Sequence, residues 1–317
     1  MTRYVAQRSV ESLLVLAVMS VVIYALIGLM PGDPIDLMIS ANPNLTPADA
    51  ARLKALYGLD LPLYERYWNW LTAALGGDFG YSRLFSRPVL DVLPAFLGRT
   101  AILMGTSFVL SVAIAIPTGI WAATRPYSRA DYVINLLSFA GISVPPFWLA
   151  LLLIMLFAVG LGWLPAGGMQ TVGLDSLVDK ARHLALPVLA LTLLSVAGVT
   201  RYVRAEMIGV LRQDYVRTAR AKGVPESSVV WRHALRNALI PVVTVLALDF
   251  GALFSGALIT ETVFAYPGMG KLIYDAILGN DFNLALVGLL FATLLTLVGN
   301  LLADLAYAKL DPRISYG

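Results

Sequence analysis

The sequence predicts an all-α polytopic membrane protein with six transmembrane helices and both termini cytoplasmic. It adds a helical outer insertion after the first span and a bent cytoplasmic loop before the fifth. Three observations carry that expectation. The 317 residues are 58% hydrophobic and only 14% charged, with a mean hydropathy of +0.76, where soluble domains hold nearer ~25% charged residues. The apolar residues fall into long runs rather than alternating patterns. The basic residues gather on alternate sides of those runs.

A helix crossing the hydrocarbon core needs roughly 20 apolar residues. Six stretches meet this: 12–30, 101–123, 132–160, 184–200, 239–260 and 284–306. The first follows Arg3 and Arg8 but is too long for the core of a signal peptide, and "PGDP" follows it instead of a small-residue cleavage site. It is read as a retained anchor. The third contains Pro145 and Pro146 and is kept as one span, because splitting it would move the basic segment 201–238 to the other side. With six spans, segments 1–8, 124–131, 201–238 and 307–317 hold 14 of the 23 Lys and Arg in 65 residues. The outer segments hold nine in 116 residues, the positive-inside pattern.

Segment 31–100 is too long for a turn. Thr46 is a candidate N-cap followed by Pro47 at the first helical position, with a stop at Gly58. A second helix is expected over "LPLYERYWNWLTAAL", ending at Gly76 and Gly77. Its Tyr64, Tyr67, Trp68 and Trp70 suit either a membrane–water interface or packing on the outer ends of other helices. The chain divides into residues 1–100, the first span with this outer segment, and 101–317, a five-helix core.

Several chemistries are excluded. No cysteine means no disulfide, zinc ribbon or thiol catalysis. His183 and His233 are too isolated to share a metal and are read as single interfacial histidines, so no metal site is expected. A net charge of +3 gives no reason to expect nucleic acid. "YPGMGKLI" is not a phosphate loop, because Ala265 takes the place of the first glycine and Leu272 follows Lys271. Glu11 and Asp304 lie near span ends and are read as interfacial, and Pro117, Pro145, Pro146 and Pro187 are expected to kink helices.

Eight basic residues lie between Arg201 and Arg236. The apolar spacing predicts helix from Arg201 to Lys222, a break at Gly223 and Pro225, and a second helix running into the fifth span. Small residues Ala219, Ala221 and Gly223 line the bend beside Arg217, Arg220 and Lys222. Contact with anionic lipid explains the sign of these charges; a protein-docking role also explains a bent helical pair where a short loop would serve. Asp249 is a lone carboxylate in the fifth span, read evenly as a substrate contact or as a structural hydrogen-bonding group. Small residues Gly251, Ser255 and Gly256 nearby place that span in the bundle core.

"RTARAKG" followed by "HALRNALIP" resembles the cytoplasmic signature of ABC-importer permeases, in which Glu-Ala-Ala precedes a glycine and a later Ile-x-Leu-Pro block. Here Arg217, Thr218 and Ala219 fill the first three places and Gly223 the glycine. His233, Ala234, Leu235 and Arg236 stand in the last block, a departure shared with the dipeptide, oligopeptide and nickel branch. "MPGDP", "GISVPPFWLALLL", "ETVFAYPGMGKLIYDAI" and the terminal "DPRISYG" resemble the same branch, in its first permease type.

The resemblance implies a non-catalytic, multi-pass subunit of the bacterial cytoplasmic (inner) membrane. Two separate ATPase subunits would bind ATP and Mg, this chain binding no cofactor itself. A second permease would complete the path, and a substrate-binding protein would deliver di- or oligopeptides. Tyr215, Arg217, Thr218, Ala219, Arg220, Ala221, Lys222 and Gly223 would contact the ATPase. Asp249 and Ser255 would line the path, and Glu261, Phe264, Tyr266, Pro267 and Met269 would form an outer gate or docking surface. An ordinary glycine-rich turn and short helix is the plainer alternative for 261–283. Nickel chelate, glutathione or opine stay open as substrates. A different class, an ion-coupled secondary transporter, would show internal repeats, and none is found between residues 1–160 and 161–317.

Overall fold

A computed structural model describes residues 2–30, 52 and 60–310, with side chains placed for all but 2–5, 244, 247–256, 303 and 306–310. The helix expected after Thr46, the "PGDP" stretch and the terminal "DPRISYG" lie outside the described residues.

Helix α1 (Thr2–Gly28) is followed by α2 (Leu63–Leu75), which ends at Gly76 as expected. A two-residue hairpin, β1 (Tyr81–Ser82) with β2 (Arg87–Pro88), leads into α3 (Val89–Thr124). That helix starts twelve residues before the predicted span and crosses the boundary drawn at residue 100. Its length of 36 residues corresponds to about 54 Å, well beyond a hydrocarbon core of about 30 Å. Helix α6 (Leu177–Leu211), of 35 residues, also outruns its predicted span.

The segment expected as one span over 132–160 is not straight. It forms α4 (Arg129–Ser143) and α5 (Pro146–Leu153), the latter continued by a π-helical stretch, Ile154–Gly160, with a bend of 106° between the two arms. Val144 and Pro145 are extended (ψ 125° and 136°), because a residue before proline is pushed out of the helical region and proline has no N–H to continue the ladder. Pro146 then starts α5, where a missing N–H is harmless.

The helix predicted from Arg201 to Lys222 is also broken. After α6, Gln213 turns extended (ψ 150°) and α7 (Asp214–Ala221) begins afresh. A turn, α8 (Glu226–Ser228), and a second π-helical stretch, Val229–Ala234, lead into α9 (Leu235–Val263). Helices α10 (Met269–Leu278) and α11 (Phe282–Leu310) are the last of the described elements.

Among the described residues four helices, α1, α3, α6 and α11, are long and apolar enough to cross a membrane, and the bent α4–α5 pair makes a fifth if counted as one span. Helix α3 lies along α6 through a ladder of hydroxyls. Thr118 Oγ1 is 3.1 Å from Thr200 Oγ1, and Ser111 Oγ donates to the Thr192 carbonyl at 3.4 Å. Such small polar residues permit close approach where lipid offers no hydrophobic drive.

One end of the bundle is densely tied. Ile23, Ile27, Val89, Leu93, Met269, Leu272 and Leu284 pack there from four helices. Asp281 is buried and accepts from Ser82 Oγ (2.5 Å), the Leu84 amide (3.0 Å) and the Leu284 amide (3.3 Å). The far end is held by ion pairs, Arg8 with Asp304 at 3.2 Å and Arg204 with Asp131 at 2.6 Å. The first of these pins the start of α1 to the end of α11, so Asp304 is paired as well as near a span end; Glu11 also meets Arg8, at 3.2 Å.

Candidate functional site: the coupling helix and the opposite end

Helix α7 is amphipathic over only two turns. Val216 is wholly buried and Ala219 nearly so; they rest on Val229, with Leu211 and Val224 alongside. Tyr215, Arg217, Thr218, Arg220, Ala221, Lys222 and Gly223 are exposed. Of the residues expected at an ATPase contact, Ala219 therefore faces inward as packing and the others face out.

Gly223 has φ +74° with nothing within 4 Å of an added Cβ, so the position is restricted by backbone conformation and not by space. Arg220 reaches across this bend to Glu226 at 2.6 Å. Hydrogen bonding from Arg220, aided by its charge, holds the Glu226 carboxyl below its ordinary range and raises the Arg220 guanidinium in turn. Asn237 Nδ2 donates to Tyr215 Oη at 3.0 Å, and Arg217 pairs with Asp214.

Above this loop Asp131, only 3% exposed, accepts from Arg204 Nε (2.6 Å) and Nη2 (2.7 Å), the Tyr127 amide (2.9 Å) and Asn135 Nδ2 (2.7 Å). This clamp joins α4 to α6 and was not picked out from sequence. The available signal was Ser128, three residues earlier, whose side chain caps α4 by accepting from the Asp131 amide at 3.2 Å.

At the opposite end, Glu261 and Phe264 are fully buried, Tyr266 and Met269 are 4% exposed, and Pro267 is half-buried. In this conformation Glu261, Phe264, Tyr266 and Met269 are turned inward, and of the five only Pro267 is partly open to the outside. Their contacts are internal. Glu261 accepts from Thr100 Oγ1 at 2.5 Å and from the Lys271 amide at 3.1 Å. Met269 donates its amide to Thr100 Oγ1 at 2.7 Å, and the Gly168 amide donates to the Phe264 carbonyl at 2.8 Å.

Asp249 and Ser255 belong to α9, but their side chains lie outside the described residues. His183, expected at an interface, is packed within the chain, with Nδ1 2.9 Å from the Asp179 carbonyl one turn earlier. Asp179 in turn accepts from Thr171 in the covering loop, at 2.6 and 2.8 Å. Among the described residues no group of three or more His, Asp or Glu is placed to hold a metal.

Long apolar helices around a broken span, with a short basic helix set apart at one end, are the architecture of a membrane transport permease. The same architecture occurs in two solved structures. One is an inward-facing methionine ABC transporter, MetNI (TM-score 0.54, 17% identity, 67% of this chain and 93% of that one). The other is an amino acid ABC transporter solved with histidines (TM-score 0.50, 14% identity, 68% and 92%).

The chain belongs to the family of binding-protein-dependent transport system inner membrane components, whose description matches residues 115–316; the family's N-terminal counterpart matches 1–92. It is a bacterial inner-membrane permease of the peptide, oligopeptide and nickel branch. It is 40% identical over 318 residues to the oligopeptide transport system permease protein AppB of Bacillus subtilis, covering all of both chains. It is 42% identical to a putative peptide permease of Brucella suis over 99% of each, and 38% identical to the glutathione transport system permease protein GsiC of Escherichia coli K12 over all of both.

Proposed function

We propose that this chain forms half of the translocation path of an ABC importer for di- or oligopeptides. In this reading α1, α3, the broken α4–α5 pair, α6, α9 and α11 supply six spans, with both termini and α7 on the cytoplasmic side. A second permease subunit supplies the other half. Two ATPase subunits bind ATP and Mg and drive α7, and a substrate-binding protein delivers cargo to the opposite end.

The observation that carries this reading is the seating of α7. Its apolar side rests on Val229 at the entrance to α9, and its basic side is bare. A groove on a partner that grips the exposed side moves α9 directly. The peptide cargo is supported by the full-length likeness to an oligopeptide permease. Glutathione is the second reading, supported by the likeness to GsiC; nickel chelate and opine have no such support. Asp249 and Ser255 remain the proposed path residues.

The test is uptake of a labelled dipeptide into proteoliposomes holding this chain with its sister permease and ATPases and supplied with the substrate-binding protein. ATP-dependent uptake that excess glutathione does not suppress supports the peptide reading. Uptake by this chain alone, or without ATP, overturns the importer. ATP-dependent uptake of glutathione in place of the dipeptide transfers the cargo to the second reading.

A further inference from the structure

Among the described residues, buried Glu261 forms no ion pair. Lys271 turns its Nζ to Asp275 at 2.7 and 2.9 Å and gives Glu261 only its backbone amide, and Arg99 reaches the Pro267 carbonyl at 3.4 Å. Thr100, which also donates to Glu261, lies on α3, 161 residues away, and the Gly270 amide bonds to the same carboxylate. The same Thr100 hydroxyl accepts the Met269 amide. Three elements thus meet on one carboxylate and one hydroxyl: the end of α9, the outer part of α3, and the first turn of α10, whose amides and dipole favour a negative group. The fit is close, since a Cβ on Gly268 would lie 2.1 Å from Glu261 Oε1.

We propose that Glu261 is a latch holding this end of the permease closed, and that movement of α9 during transport releases it. The proposal rests on the importer reading. Helix α9 spans 29 residues, about 43 Å at the helical rise, from the stretch on which α7 rests to Glu261. The helix is continuous from Leu235 to Val263, with Pro241 near its start, so a displacement at the α7 end is passed along it toward Glu261. Helix shifts of about 1–2 Å accompany many switching transitions, and displacement on that scale takes a 2.5 Å hydrogen bond beyond bonding distance.

Release is not gradual. A carboxylate stripped of its donors in an apolar site is costly unless water or new donors reach it, so the latch has a made state and a broken, wetted state. Breaking it frees α10, whose Leu272, Ile273 and Ala276 form the lid of the buried cluster beneath. Glu261 is thereby a positioning residue for the outer end and need not touch cargo.

The absence of cysteine from the chain permits a direct test. Ala276 is fully buried on the inner face of α10, so Ala276→Cys reports lifting of that helix through its rate of maleimide labelling. The assembled complex in nanodiscs, open to reagent on both faces, is labelled without nucleotide and after trapping with ATP and vanadate. With the latch intact, trapping is expected to change the rate.

Adding Thr100→Val, which removes the shared hydroxyl at nearly constant volume, is expected to raise nucleotide-free labelling on the order of tenfold, the scale of one lost charge-assisted hydrogen bond in a local opening. Thr100→Ser is expected to restore it, which a general loss of packing would not allow. Equal labelling in Thr100→Val and the parent overturns the latch. So does a rate indifferent to trapping while dipeptide uptake stays ATP-dependent, an outcome that leaves the importer reading standing. Should Thr100→Val fail to assemble, the trapping comparison on the parent chain decides alone.

Discussion

Two carboxylates show how burial separates structural from adjustable charges in this chain. Asp131 is 3% exposed and takes both Arg204 nitrogens, a third donor from Asn135 and a backbone amide. Removing one partner strands the other in a poorly solvated site. Asp131→Ala is therefore expected to cost about 2–3 kcal/mol, read as a lowered unfolding temperature of the purified protein, while Arg204→Ala with it adds little more. Glu226 is a different case, because its pair with Arg220 is 62% and 41% exposed. Solvent screening leaves such a pair below about 0.5 kcal/mol, so Glu226→Gln is expected to leave the unfolding temperature nearly unchanged. The direction of its pH dependence follows from linkage. The folded pKa lies below the ordinary value of 4.5, so the contribution is full at neutral pH, declines as pH falls through the acid range below that value, and vanishes under the folded pKa. Mobility of a spin label on the α7 loop is expected to rise over that acid range in the parent and to be flat in Glu226→Gln. Sequence reading found the Glu226 segment through its density of charge, but Asp131 was invisible to it, because its arginine is 73 residues away and only the folded chain brings them together.

At the scale of elements, the features legible in the sequence were those written in local chemistry. Apolar runs marked α1, α3, α6 and α11, Gly76 ended α2, and Gly223 with Pro225 marked the bend after α7. Two breaks were less legible. The proline pair was noticed and kept within one span on grounds of charge topology. The structure bends there by 106°, a geometry that leaves the two arms on one side of the break or the other without demanding an extra crossing. The break at Gln213 carries neither glycine nor proline, and its cause is tertiary: it turns Val216 and Ala219 of α7 onto Val229. Gly223 is where element and function meet. Because its φ is +74° with open space around it, Gly223→Ala is expected to cost about 1 kcal/mol, without a clash. Gly223→Val adds β-branching to the strained conformation and should tilt α7 on its seat. The expected result is an assembled complex that hydrolyses ATP but takes up labelled dipeptide at a small fraction of the parent rate. Uptake equal to the parent would show that the bend does not set the coupling geometry.

The whole molecule is tied unevenly. One end joins the hairpin, α3, α9, α10 and α11 through buried hydrogen bonds at Asp281, Glu261 and the Phe264 carbonyl. The other end is spanned by a few ion pairs and by α7, of which only Val216 and Ala219 are buried. None of this asymmetry was readable from composition, since the ties from Ser82, Leu84 and Thr100 reach partners 161 to 199 residues away. It sets an order of opening, because amides whose partners are buried and mutually supported exchange only through large excursions. In hydrogen exchange of the assembled, nucleotide-free complex, the amides of Tyr266, Lys271 and Asp281, together with Leu284 at the start of α11, are expected to be among the longest protected at that end. Those of Lys222 and Gly223, bonded only within the exposed α7 turn, should exchange first. Asp281→Ala removes the acceptor shared by the hairpin and the start of α11, so it should speed exchange at Leu84 and Leu284 together by at least an order of magnitude, as expected for losing hydrogen bonds to a buried charge. If the two amides respond separately, the hairpin is a passive cover; if they respond as one, it is a strap that moves with α11.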